Sequence, residues 1–178
     1  MVTFVLGGAR SGKSRYAAEL AAHHDRPAFI VSAEPIDDEM RDRIRRHRAA
    51  RRSEALTVEA PLDLAAALCQ LPAGTGVAVV DCLTVWLGNL LHRRGGHGFS
   101  GELEALTEVG AFLAALAAPP CPLIVVSNEV GMGIIAERPP TRAFTDLHGR
   151  LNQAVAARAH RVLVLLAGLP LELKPAAT

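Results

Sequence analysis

The chain has 178 residues, half of them hydrophobic and 4% aromatic, with a formal net charge of +1. That length fits one domain around one core, the near-zero charge excludes a polyelectrolyte partner such as nucleic acid for the chain as a whole, and no uncharged run reaches the roughly 18 residues of a membrane span. Cys69, Cys82 and Cys121 are scattered among apolar neighbours with neither metal-ligand nor redox spacing, so they read as small buried residues in a reducing cytosol.

The apolar run Val2–Leu6 predicts a strand and passes directly into Gly7-Gly8-Ala9-Arg10-Ser11-Gly12-Lys13-Ser14, a complete G-x-x-x-x-G-K-[ST] phosphate-binding loop. That direct passage argues against a signal peptide. Glycine lets successive backbone N–H groups close around phosphate oxygens at short range. Lys13 adds a point charge, and Ser14 offers a hydroxyl to Mg²⁺ at the first turn of a helix predicted over Ser14–His24, whose positive dipole end faces the anion. Tyr16, Leu20 and Ala21 recur there at helical spacing. Strand before and helix after are the setting the mechanism requires, and they mark a nucleotide-binding protein.

Further strands are predicted at Pro27–Ser32, Leu56–Val58, Val77–Asp81, Pro122–Ser127 and Val162–Leu166. They alternate with helices at Asp37–Arg51, Leu62–Leu71, Leu83–His92, Glu102–Ala117 and Thr141–His160, the last carrying Phe144, Leu147, Leu151 and Val155 on one face. Alternation of this kind is the signature of an α/β domain, here one unit over residues 1–178. Several strands are apolar at every position, as in a mostly parallel sheet covered by helices on both faces. Ala167-Gly168 between Val162–Leu166 and Leu169–Leu173 predicts a terminal antiparallel hairpin. Gly-rich Arg94–Gly98 reads as a surface loop, and Pro119-Pro120 and Pro139-Pro140 punctuate helix ends.

Asp81 closes the strand Val77–Val80, where a carboxylate beside the phosphate loop can hold Mg²⁺; the alternative is a cap for the helix from Leu83. Seven arginines crowd into RDRIRRHRAARR between Arg41 and Arg52. Arg43, His47 and Arg51 share one helical stripe, and like charges nearby disfavour the imidazolium, leaving a lone pair on His47. A neutral imidazole among phosphate-binding arginines is a candidate nucleophile; a solvated basic face with an incidental histidine fits the same pattern. Glu129, in Ser127–Gly133 beyond the fifth strand, is a candidate general base or metal-shell carboxylate, or else a surface acid in a turn. Ser32, Ala33 and Glu34 occupy the same sheet edge after the second strand, and Glu59 after the third.

Taken together, GGARSGKSR (Gly7–Arg15), DDEMRDRIRRH (Asp37–His47), VDCLTVWLGNLL (Val80–Leu91), VSNEVGMGI (Val126–Ile134), GRLNQ (Gly149–Gln153) and AGLPLELK (Ala167–Lys174) resemble the bifunctional adenosylcobinamide kinase / adenosylcobinamide-phosphate guanylyltransferases of cobalamin biosynthesis. The resemblance implies a RecA-like P-loop fold, a cytoplasmic homotrimer and two reactions using Mg²⁺ and GTP or ATP. In the first, a nucleoside triphosphate phosphorylates adenosylcobinamide; in the second, GTP loses pyrophosphate to a histidine, and the bound GMP passes to adenosylcobinamide phosphate. It implies that the nucleophile is His47, with Lys13 and Glu129 also catalytic and Ser14 and Asp81 on the metal. It implies nucleotide contacts along Gly7, Gly8, Ala9, Arg10, Ser11, Gly12, Lys13 and Ser14, and at Ser32, Ala33, Glu34, Arg48, Ala49, Ala50, Arg51, Glu59 and Asp81. Two rival readings are a small-molecule kinase that never uses His47 covalently and a nucleotide-dependent switch whose arginine helix binds an acidic partner. No guanine-selecting N-K-x-D tetrad occurs, against an ordinary GTPase switch.

Overall fold

A computed structural model describes residues 1–34, 55–95 and 102–176. The predicted helix Asp37–Arg51 lies outside the described residues, and with it His47, Arg48, Ala49, Ala50 and Arg51. The strands are β1 (Val2–Gly7), β2 (Pro27–Val31), β3 (Leu56–Glu59), β4 (Val77–Asp81), β5 (Leu123–Asn128), β6 (Arg161–Leu166) and β7 (Leu169–Lys174). Between them run α1 (Lys13–Ala21), α2 (Leu64–Cys69), α3 (Leu83–Arg93), α4 (Thr107–Ala115) and α5 (Pro139–Arg158).

The strands form one sheet in the order β3-β2-β4-β5-β1-β6-β7, in which neighbours are parallel except for the antiparallel pair β6–β7. Period-two alternation divides the buried strand residues between two faces. Phe4, Leu6, Ile30, Val80, Leu123 and Val125 face a core that includes Leu68, Trp86, Phe112 and Leu151 of helices α2 to α5. Val5, Phe29, Val79, Ile124, Val126 and Leu165 face α1 through Ala17 and Ala21. Both faces are therefore covered, as strands apolar at every position require, although among the described residues four helices lie on one side and one on the other.

Several boundaries differ from the sequence reading for local reasons. The segment expected as one helix over Glu102–Ala117 is a short 3₁₀ turn, Leu103–Ala105, followed by α4. Leu106 interrupts it with extended backbone and a fully buried side chain, so core packing overrides helix continuity. Pro139-Pro140 opens α5 at its first two positions, where the missing N–H is no loss. The other end of α5 stops at Arg158, and Lys174 Nζ from β7 donates to the Ala159 carbonyl at 2.6 Å. Helix α1 ends at Ala21, short of His24. Of the cysteines expected to be buried, Cys82 is, Cys121 is half-buried and Cys69 is exposed at the end of α2.

The hairpin turn has left-handed backbone at both Ala167 (φ 51°) and Gly168 (φ 83°), the requirement of a two-residue connection that follows strand twist. Its Gly168 N–H donates to the Ser11 carbonyl at 3.0 Å, so the C-terminal hairpin buttresses the phosphate loop.

Candidate active site

The phosphate loop leaves β1 at the carboxyl edge of the sheet, near its middle. Gly7 is buried, and a Cβ there would run into Ser11 Oγ and approach the Leu165 carbonyl at 2.9 Å, so any larger residue would push the loop open. Left-handed backbone at Arg10 (φ 58°) and Gly12 (φ 94°) folds the chain back so that Gly12 caps α1. That helix start carries neither a side-chain cap nor an acidic residue in its first turn, so its N–H groups and positive dipole end face the loop interior. Lys13 is 6% exposed, and its Nζ donates to the Gly8 carbonyl at 2.9 Å. Ser11 Oγ is buried without a hydrogen-bond partner among the described residues, the state of a hydroxyl awaiting an acceptor such as a phosphate oxygen.

Asp81 ends β4 beside this loop, and Ser14 Oγ donates to its Oδ1 at 3.3 Å. Helix α3 begins from Cys82 with no side-chain cap, so the carboxylate faces Ser14 instead of closing the helix start. A hydroxyl and one carboxylate are the donors a Mg²⁺–nucleotide complex takes from protein, the remaining positions going to phosphate and water. No group of three or more His, Cys, Asp or Glu that could hold a metal ion occurs among the described residues. The donor set fits Mg²⁺. Burial, and then the Asp81 charge, push the Cys82 thiol up, so it stays protonated and inert beside the site.

The remaining sequence candidates spread along the same edge. Val31 pairs with Asp81 and with Glu59, which places the ends of β2, β3 and β4 side by side. The fully buried Ser32 donates from Oγ to the Cys82 carbonyl at 2.8 Å and accepts from the Cys82 N–H at 3.1 Å. Its hydroxyl thus ties the end of β2 to that of β4, and its own carbonyl accepts from Asn89 Nδ2 at 2.8 Å. Ala33 and Glu34 follow it half-buried, and Glu59 is exposed on the outermost strand. Glu129 is closer to the loop: its N–H donates to the Gly7 carbonyl at 3.0 Å, and its Oε1 accepts from the Gly131 N–H at 2.9 Å. The structure therefore brings Lys13, Ser14, Asp81 and Glu129 to one edge, with Ser32 as a fastener behind them.

Sequence reading missed a buried polar group immediately behind this edge, made of Thr84, Ser127, His148 and Asn152. His148 and Ser127 are fully buried and Asn152 is 5% exposed. His148 Nε2 lies 3.0 Å from Thr84 Oγ1 and 3.3 Å from Ser127 Oγ, and its ring stacks on Phe144 at 5.6 Å. Burial lowers the His148 pKa more than the nearby Glu129 charge raises it, so the ring is held neutral. The available signal was a histidine and an asparagine one turn apart on the apolar stripe of α5, where uncharged polar residues need partners.

Residues 3–173 match the family described as cobinamide kinase / cobinamide phosphate guanyltransferase. The chain is similar to the bifunctional adenosylcobalamin biosynthesis protein CobP of Pseudomonas aeruginosa, with 43% identity over 98% of both chains. It is also similar to CobU of Escherichia coli, 34% identical over 98% of this chain and 100% of that one. Among solved structures, PH0250 of Pyrococcus horikoshii aligns with TM-score 0.57 at 8% identity over 98% of this chain and 86% of that one. An ATPase of a bacterial type III secretion system aligns with TM-score 0.53 at 12% identity over 93% of this chain; the chain spans about half, 51%, of that ATPase. These two likenesses concern the fold.

Proposed function

This chain belongs to the cobinamide kinase / cobinamide phosphate guanyltransferase family, and we propose that it carries out both reactions on one phosphate loop, the second through a covalent histidine. The observation that carries this reading is the grouping of Lys13, the Ser14–Asp81 pair and Glu129 around a loop with an orphaned buried hydroxyl. In the kinase step the aminopropanol hydroxyl of adenosylcobinamide attacks the γ-phosphorus, the bond to the β-phosphate oxygen breaks, and the nucleoside diphosphate leaves. Lys13 and the N–H groups of the loop and of α1 stabilise charge on the equatorial oxygens, while Glu129 orients the acceptor hydroxyl and takes its proton. When bound at Ser14 and Asp81, Mg²⁺ supplies further charge neutralisation at the phosphates.

In the second step a His47 nitrogen attacks the α-phosphorus of GTP and pyrophosphate leaves. A phosphate oxygen of adenosylcobinamide phosphate then displaces the histidine, breaking the P–N bond and giving adenosyl-GDP-cobinamide. The arginines from Arg43 to Arg51 supply the cationic surroundings that an α-phosphate needs, and Arg48 to Arg51 with Ser32, Ala33, Glu34 and Glu59 form the guanine-nucleotide side. The enzyme works as a cytoplasmic homotrimer and takes GTP or ATP as phosphoryl donor. No helix of the described residues is long and apolar enough to cross a membrane.

The test is intact-mass measurement after incubation with GTP and Mg²⁺, which should show addition of one GMP. Kinase activity without that adduct would leave a plain small-molecule kinase. Nucleotide binding with neither reaction would leave a switch.

A further inference from the structure

Strand β4 stops at Asp81, opposite Val126, whereas β5 continues to Asn128. The last residue of β5 therefore has a strand neighbour on one side only, β1, where Asn128 pairs with Gly7. On the other side two side chains replace the missing strand. Thr84 Oγ1, in the first turn of α3, accepts from the Asn128 N–H at 2.9 Å, and Asn152 Nδ2, from α5, donates to the Asn128 carbonyl at 2.9 Å. One residue further on, the Glu129 N–H donates to the Gly7 carbonyl, the first of the phosphate loop. Any rotation of the Asn128 peptide would thus carry Glu129 away from the loop.

His148 connects the two holders. Asn152 Nδ2 faces His148 Nδ1 at 3.4 Å, and Ser127 Oγ donates to Asn152 Oδ1 at 2.8 Å. With its amide oxygen receiving Ser127 and its amide nitrogen serving the Asn128 carbonyl, Asn152 has one orientation, in which it presents N–H to Nδ1. Nδ1 must then be the bare nitrogen and Nε2 the protonated one, donating between Thr84 Oγ1 and Ser127 Oγ. A second proton on the ring would set Nδ1–H against the Asn152 amide, and burial disfavours that form. Apolar residues could fill this part of the core between α5 and β5, as Leu147, Leu151 and Val155 do along the same helix. A polar network adds direction: it holds groups at fixed angles, provided every member is satisfied.

We propose that His148, Thr84, Ser127 and Asn152 are positioning residues for the kinase reaction, fixing the Asn128 peptide so that Glu129 stands against the phosphate loop to meet the acceptor hydroxyl. The inference rests on the kinase reading above. The nucleotide grips the other side of the loop, through Lys13 and the start of α1, so the network controls the acceptor's alignment and leaves triphosphate affinity alone.

The experiment uses the full chain with Thr84→Val, Thr84→Ser, His148→Gln and His148→Leu. Three quantities are read: kinase kcat and acceptor KM with adenosylcobinamide, affinity for a fluorescent GTP analogue, and amide exchange across residues 123–133. Thr84→Val removes the acceptor for the Asn128 N–H and should lower kcat by about 10- to 100-fold, the scale of a misplacement near 1 Å. GTP-analogue affinity should stay within about threefold, and exchange at Asn128 and Glu129 should speed up while the phosphate loop keeps its protection. Thr84→Ser retains the oxygen, and His148→Gln retains a donor in the place of Nε2–H; both should recover most of the rate, whereas His148→Leu should not. If His148→Leu fails to fold, the half-buried Thr84 carries the test. Unchanged kcat in Thr84→Val, or nucleotide affinity falling in step with kcat, would overturn the proposal. A wild-type chain that binds nucleotide but phosphorylates no adenosylcobinamide would instead overturn the kinase reading, and unchanged exchange at Asn128 in Thr84→Val would separately refute the clamp itself.

Discussion

Replacing Lys13 by alanine separates catalysis from folding. Lys13 is buried, and its ammonium donates to the Gly8 carbonyl at 2.9 Å. Its removal forfeits the charge-assisted hydrogen bond to the Gly8 carbonyl, a net loss of about 1.5–3 kcal/mol. Since 1 kcal/mol moves Tm by about 2–4 °C in a chain of this size, Tm should fall by about 3–12 °C while the chain still folds. The demand is larger in the transition state, where charge spreads over the transferring phosphoryl group inside the loop. Loss of one preorganised donor there costs about 2.7–4 kcal/mol, a 10²- to 10³-fold fall in kcat/KM. The assay is steady-state phosphorylation of adenosylcobinamide alongside thermal unfolding of the same preparation. The label transferred from GTP should fall as well, because both reactions bind a triphosphate in the same loop. A variant with kcat/KM within about threefold of wild type would remove the loop lysine from the mechanism.

Asp81→Asn keeps the size of the side chain and its hydrogen bond with Ser14 but removes the charge that attracts a cation. Its rate should fall steeply, and a Mg²⁺ titration should shift to higher concentration; an unchanged titration would reduce Asp81 to a structural role. His47→Ala should lose GMP attachment and guanylyl transfer while retaining kinase activity, and the wild-type GMP label should be acid-labile and base-stable, as a P–N bond is. Persistence of the label in the alanine variant would place the nucleophile on another residue. Burial depresses the His148 pKa below 6.5, so as pH falls through 6.5 the unfolded chain gains a proton that the folded chain refuses. Stability should therefore decline below pH 6.5, and urea unfolding of His148→Gln at pH 7.5 and 5.5 should show a smaller decline than wild type.

How much of this could be read beforehand depends on whether a feature is local. The phosphate loop is contiguous, so strand, glycines, Lys13 and Ser14 all announce themselves, and parallel strands betray themselves by being apolar at every position. The C-terminal hairpin was legible for the same reason, its Ala167-Gly168 turn lying between two strand-like runs. Leu106 was not legible as a helix break, because nothing in its neighbours reveals that its side chain must drop into the core between Leu103 and Val109. Nor does periodicity record where one strand outlasts another. Whether Asp81 caps a helix or faces Ser14 is decided by β4 ending opposite Val126, and whether Asn128 needs holding is decided by β5 running past that point. That step in the sheet edge does two things at once. It leaves Asp81 at a strand end where Ser14 meets its carboxylate, and it strips Asn128 of a strand partner on that side, so that side chains from two distant helices supply the missing hydrogen bonds. The network is a consequence of a single difference in strand length, which is why its residues come from α3, β5 and α5 and share no sequence motif.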